Sequence, residues 1–203
     1  TIAAVSRQDP ETSTSDIWLH DLGRGTNTRF TSANMMSPVW SPDGSRIGMR
    51  STTADGALYT KPVRGSSPAE LLHKDERRQR PMDWSRDGKY IVKGATDPKT
   101  REDIWVIPMS GDRKPFPYLT SEFNEDYARI SPDGKWLVYQ SDESKRTEVY
   151  VQSFPTPGNK VQISTDGGRY PVWSRDGREL YFIAPDGKMM AVAVKMAGKF
   201  EAG

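Results

Sequence analysis

Apolar residues in this chain fall in short runs, and the runs recur at nearly constant spacing. Ile47-Gly48-Met49, Tyr90-Ile91-Val92, Trp136-Leu137-Val138-Tyr139 and Leu180-Tyr181-Phe182-Ile183 are rich in β-branched and aromatic residues. Each run follows a polar turn: Trp40-Ser41-Pro42-Asp43-Gly44, Trp84-Ser85-Arg86-Asp87-Gly88, Ile130-Ser131-Pro132-Asp133-Gly134 and Trp173-Ser174-Arg175-Asp176-Gly177. A second apolar marker keeps the same period: Ile17-Trp18-Leu19, Leu58-Tyr59-Thr60, Ile104-Trp105-Val106, Val149-Tyr150-Val151 and Met189-Met190-Ala191. Two markers with one period predict an all-β chain of radially repeated antiparallel sheets, since a hairpin every forty-odd residues is the sequence mark of that architecture.

Each repeat reads as four strands, a to d. Strand a ends at the Trp-Ser pair, the Asp-Gly turn reverses the chain into strand b, strand c carries the second marker, and strand d follows. In the turn, Pro42 suits the first central position, Asp43 hydrogen-bonds local backbone, and Gly44 accepts a left-handed conformation. The segments Arg29-Phe30-Thr31, Leu71-Leu72, Tyr118-Leu119-Thr120 and Val161 to Ser164 fit strand d. The repeats divide the chain at about 1–31, 35–73, 80–120, 125–165 and 168–200, as a single propeller domain with five blades represented and three of them complete. Residues 1 to 31 supply only strands b, c and d, and residues 168 to 203 supply a, b and c with no obvious strand d. The ring is therefore expected to be incomplete and the chain to be a piece of a longer protein. Open blade faces also predict self-association.

Composition narrows the function. Gly and Pro together number 32 of 203 residues and the hydrophobic fraction is 34%, which suits short half-buried strands. The 29 basic and 27 acidic residues nearly cancel, so no strong field draws nucleic acid or anionic lipid. No apolar stretch approaches the roughly 20 residues of a membrane helix. Cysteine is absent, which excludes disulfides, thiolate catalysis and cysteine-ligated zinc.

The Trp-Ser-Pro-Asp-Gly turn, the aromatic strand b and the Ile-Trp-Val type of strand c together resemble the TolB-like (WD40-like, PD40) β-propeller repeat. The likeness covers essentially the whole chain. The stretch from Phe123 to Leu180, with Phe154-Pro155-Thr156-Pro157-Gly158 and Gln162 to Gly168, resembles propellers of bacterial proteins that carry a serine/threonine kinase domain and stand-alone TolB-like proteins. The resemblance implies six or more blades in the parent, a scaffold or sensing role, no catalysis in the propeller, and a periplasmic or otherwise extracytoplasmic location.

Candidate chemistry is sparse. Asp43, Asp87, Asp133 and Asp176 occupy equivalent turns and read as turn formers rather than a carboxylate cluster. Trp40, Trp84 and Trp173 share one register and read as packing between blades. His20 and His73 lie in different blades, so a histidine metal site is not expected. The acidic b–c loops Asp9 to Ser15, Asp97 to Glu102 and Asp142 to Arg146 read as solvated hairpin tips. No Gly-x-Ser-x-Gly elbow and no phosphate loop occurs. No catalytic residue, cofactor or metal is expected, and the chain reads as a non-enzyme.

What remains is the face where b–c and d–a loops emerge together. Variable loops on a rigid scaffold are where binding resides. There Arg78 and Arg80 end a basic run, Phe123, Glu125, Asp126 and Tyr127 form an acidic and aromatic loop, and Arg169 and Tyr170 open the last repeat. These eight residues are the expected contacts for a protein partner or small ligand. The alternative is an accessory propeller gating a prolyl oligopeptidase-type serine peptidase whose catalytic domain lies outside this chain.

Overall fold

The computed structural model describes residues 1–32, 34–53, 56–196 and 198–203. It is all-β, with no helix among those residues. Packing divides the chain into two compact units, Thr1–Pro81 and Met82–Gly203.

The first unit holds two sheets. One has three strands, β1 (Ile2–Gln8), β2 (Ser15–Asp21) and β3 (Thr26–Arg29); the other has four, β4 (Met35–Trp40), β5 (Arg46–Ser51), β6 (Leu58–Pro62) and β7 (Glu70–His73). A third sheet starts with β8 (Gln79–Trp84), which runs across the boundary, and continues in the second unit with β9 (Tyr90–Asp97), β10 (Arg101–Pro108) and β11 (Phe116–Leu119). Then come β12 (Asp126–Ile130), β13 (Trp136–Ser141), β14 (Glu148–Ser153) and β15 (Val161–Gln162), followed by β16 (Arg169–Trp173), β17 (Glu179–Ile183), β18 (Met189–Lys195) and β19 (Glu201–Ala202). Every sheet is an antiparallel meander in chain order, the four-stranded ones forming the a–b–c–d blade of a β-propeller and the first holding b, c and d.

Two details differ from the sequence reading. Four blades are complete rather than three, because Glu201 and Ala202 pair with Lys195 and Val194 as a short fourth strand. So short a strand carries no hydrophobic alternation to betray it. Strand β3 also ends at Arg29, with Phe30 and Thr31 just beyond it. Thr31 turns its hydroxyl inward instead, onto Asp16 Oδ1 at 3.1 Å, and accepts the Ile17 amide at 2.9 Å. Glu148, Ser164 and the Val149 amide repeat that clasp in the fourth blade.

The Asp-Gly turns form one repeated hydrogen-bond unit. In each, the serine hydroxyl donates to the aspartate Oδ1: Ser41 to Asp43 at 2.6 Å, Ser85 to Asp87 at 2.7 Å, Ser131 to Asp133 at 2.6 Å, Ser174 to Asp176 at 2.8 Å. The same serine oxygen accepts the first amide of strand b, from Arg46, Tyr90, Trp136 and Glu179, at 2.9–3.0 Å. Glycine closes the turn at φ of 69°, 74°, 72° and 73°, where a side chain would be strained. These bonds hold the exposed Asp43 carboxyl down at about 2, chiefly through the Ser41 hydroxyl and the Ser45 amide.

Strand a carries a second shared feature. A bulge interrupts its pairing with strand b between Met36 and Val39, between Asp126 and Arg129, and between Arg169 and Val172. Ser37, Tyr127 and Tyr170 sit there with φ of 56°, 53° and 56°. The bulge frees an amide, and side chains take it up: Ser6 Oγ for Ser37 at 3.0 Å, Gln140 Oε1 for Tyr170 at 3.0 Å, and Asp126 Oδ1 for Tyr127 at 2.7 Å. In the third blade the equivalent residue is Pro81, which has no amide to satisfy.

The core lies between neighbouring sheets. In the second unit, Leu137, Tyr139 and Tyr150 pack with Val92, Ile104 and Val106 of the preceding blade, while Val138, Val149 and Val151 pack with Leu180 and Phe182 of the next. Burial on both faces explains why strand b reads as an unbroken apolar run. Trp173 ties blades as well as packing between them, since its Nε1 donates to Arg129 O at 3.0 Å.

Replacing Ser131 by Ala removes the donor to Asp133 and strands the buried Trp136 amide; the expected loss is about 1–3 kcal/mol, read from the urea midpoint. The pH response has a definite sign. Asp43 binds its proton less readily folded than its ordinary value of 3.8, so its stabilisation is present above that value and is lost as pH falls through about 2. The urea midpoint should drop over that interval, and drop less in Asp43→Asn.

Candidate functional site

In the first unit the b–c and d–a loops enclose an open cleft of about 800 Å³. Its walls are hydroxyl-rich: Thr12, Ser13 and Thr14 from the β1–β2 turn with Ser15 at the start of β2, and Ser51 at the end of β5 with Thr52 and Thr53 beyond it. Thr12 and Thr14 bond each other at 2.8 Å, Ser51 and Thr53 at 2.6 Å, and Thr52 Oγ1 donates to Asn34 O at 3.1 Å. These bonds preorganise a polar surface. Gln79, only 2% exposed, anchors it by donating from Nε2 to Gly56 O at 2.7 Å.

The basic run Lys74 to Arg80 is more ordered than a solvated loop. Asp75 accepts the Arg77 amide at 3.1 Å, its Nε at 3.0 Å and its Nη2 at 2.7 Å. Gly56 makes that fold possible. It has φ of +56°, and a Cβ there would meet Asp75 O at 2.9 Å and Arg77 O at 3.1 Å. The turn leaves Glu76 and Arg78 exposed on the cleft wall, and neither forms an ion pair among the described residues. Arg80 is half-buried in β8 and does not line the cleft.

The other six expected contacts lie in the second unit. Tyr127 and Tyr170, placed by their bulges, meet edge to face with ring centroids 4.6 Å apart. Tyr170 is 49% exposed and Arg169 is exposed beside it. Phe123 is half-buried, its amide on Ser121 Oγ at 3.1 Å. Glu125 and Asp126 turn inward instead, at 2% and 8% exposure, so neither presents its carboxylate to a partner. Burial pushes the Glu125 carboxyl up to about 7, assisted by Asp103 and Glu143 and opposed by the Ser121 hydroxyl and Lys160.

Sequence reasoning missed the hydroxyl wall and Gln79. Serines and threonines in a hairpin carry no motif, and only the fold lines two such loops along one cleft. The histidines stand apart: His20 is in β2 of the first blade, and His73 ends β7 with Nε2 3.9 Å from Asp75. Among the described residues no cluster of three or more His, Cys, Asp or Glu is arranged to hold a metal ion. No helix among them is long and apolar enough to cross a membrane.

Gly56→Ala should cost more than the roughly 1–2 kcal/mol of a left-handed alanine, because its Cβ also meets backbone. Gly25→Ala, at φ +66° with open space around it, is the control that bears only the first cost. Thermal melts of the two variants give the difference.

No protein-family model matches the chain. Over a 190-residue alignment it is 25% identical to the uncharacterized peptidase YuxL of Bacillus subtilis (strain 168), covering 71% of this chain and 28% of that protein. Among solved structures, TolB from Acinetobacter baumannii superposes with a TM-score of 0.80 at 19% identity, covering 99% of this chain and 52% of TolB. A prolyl endopeptidase from a study of two such enzymes superposes with a TM-score of 0.69 at 14% identity, over 98% of this chain and 32% of the enzyme. This chain therefore spans about half of the TolB structure and under a third of the peptidase relative. Sheet order, turn chemistry and superposition agree on the architecture: the chain is a β-propeller of the TolB type in its fold.

Proposed function

We propose that this chain is a non-enzymatic binding module of an extracytoplasmic bacterial protein, recognising a protein or small polar ligand through its b–c and d–a loops. The observation that carries the reading is the preorganised cleft of the first unit. It combines fixed hydroxyls with an exposed arginine and glutamate, Arg78 and Glu76, that form no ion pair among the described residues, on a backbone braced by Asp75 and Gly56. Such a surface offers directional hydrogen bonds with little ordering left to do on binding. The recurrent aspartates are occupied by turns, so their carboxylates are not free for acid–base chemistry.

A second reading has support of its own. The peptidase relative and the prolyl endopeptidase fold neighbour both favour an accessory propeller whose hydrolase domain lies elsewhere in the parent protein. A fluorophosphonate probe applied to the full-length natural protein separates the two. Labelling of a serine outside this chain supports the accessory role, and absence of labelling supports the stand-alone binder.

For the binding site itself, a photo-crosslinking residue placed at Arg78 should capture a ligand from host envelope extract about tenfold more than one at Asp112, on a c–d loop. Substituting Arg78→Glu in the same molecule should weaken binding of the captured species about tenfold without changing the melting temperature. Equal capture at both positions, or turnover of a substrate by the purified chain, would count against this function.

A further inference from the structure

The connection between β11 and β12 contains a buried acid that the binding reading does not use. Glu125 is 2% exposed, and its Oε2 meets no hydrogen-bond partner among the described residues. Its Oε1 accepts from the Ser121 hydroxyl, which also accepts the Phe123 amide at 3.1 Å. The groups facing it are mostly acids. Asp103, at 2% exposure, comes from β10, and Glu143 comes from the β13–β14 turn. Lys160, the cation on that side, is already bound by Glu143. Arg101 is engaged by Asp142 at 2.9 Å, and Asp126, the next residue, accepts the Tyr127 amide.

The same residue is a fastening point for its loop. The Glu125 amide donates to Glu102 O at 2.8 Å, and the Asn124 amide donates to Asp142 Oδ1 at 2.9 Å. Counting back from the Asp-Gly turn, the equivalent position in the preceding blade is Gln79, a neutral side chain of the same shape that is also 2% exposed. The same count gives Met35 and Gly168 in the other complete blades, so Glu125 is the one ionisable side chain at this position among the four.

We infer that Glu125 is a proton-operated latch: its neutral carboxyl docks the 121–127 loop against β10, and ionisation releases the loop together with Phe123 and Tyr127. Ser121 has one proton to offer one oxygen, so a carboxylate there would bury charge beside Asp103 and Glu143. Relief requires the side chain to reach water, which breaks the Glu125–Glu102 bond. Because the docked carboxyl holds its proton up to about 7 against an ordinary 4.5, docking is strongest below 4.5 and weakens as pH rises through 7. The inference is independent of what the cleft in the first unit binds.

Amide hydrogen exchange of the whole chain tests it, with the intrinsic pH effect divided out. Between about pH 5 and about pH 8.5, protection of the Asn124 and Glu125 amides should fall about tenfold in the wild type and stay within about twofold in Glu125→Gln. Unchanged protection in the wild type, or the same fall in Glu125→Gln, overturns the latch. Should the variant fail to fold, the carboxyl carbon shift of Glu125 in the wild type decides. A midpoint near 7 supports the latch, and a midpoint near the ordinary 4.5 sinks it.

Discussion

The serine–aspartate–glycine turn is the constraint on which every complete blade depends. A hairpin between strands a and b must leave strand a, reverse, and enter strand b in register. In each copy the serine oxygen holds the first strand b amide while its hydroxyl holds the aspartate, and the aspartate holds the amide two residues on. Three groups that would otherwise be left to solvent satisfy one another locally. The turn therefore folds from its own residues, and the apolar strands on either side arrive already paired. Since register decides which face of a strand is buried, the turn also decides which apolar residues enter the space between blades.

The bulges of strand a solve a different problem. A strand that pairs with strand b and also packs on the preceding blade has to twist sharply at one point. The left-handed residues Ser37, Tyr127 and Tyr170 absorb that twist, and the amides they release are taken by polar groups, two of them on the preceding strand b. This device positions loop-face side chains. Tyr127 and Tyr170 meet edge to face because each stands on its own bulge, at the start of adjacent blades in the second unit. The same feature that lets blades pack thus places two aromatic rings on the loop face.

Electrostatics separates the structural acids from those with room to act. The turn aspartates are exposed and accept hydrogen bonds at Oδ1, and the carboxyls of Asp43, Asp87 and Asp176 are held low. Glu148 is buried but meets Ser164, the Gly167 amide and Arg146, so its charge is answered. Glu125 is equally buried with one donor and acidic company, and burial pushes its carboxyl up to about 7.

The repeat period and the turn chemistry were legible in the residue order, because both rest on contacts within a few positions of each other. Asp43 and its three counterparts declared themselves as turn formers through Ser, Gly and spacing alone, and the apolar strand b runs declared themselves as strands, whereas their burial on two faces belongs to the packed sheets. Strand β19 was not legible, since two residues carry no periodicity. Nor was the inward turn of Glu125 and Asp126: by composition their loop is polar and surface-like, and only the approach of β10 and the β13–β14 turn takes it out of water. The hydroxyl cleft was hidden for the same reason, its walls coming from segments about forty residues apart in the chain. Local hydrogen bonding is written in neighbouring residues; desolvation and convergence of distant loops exist only once the sheets have packed.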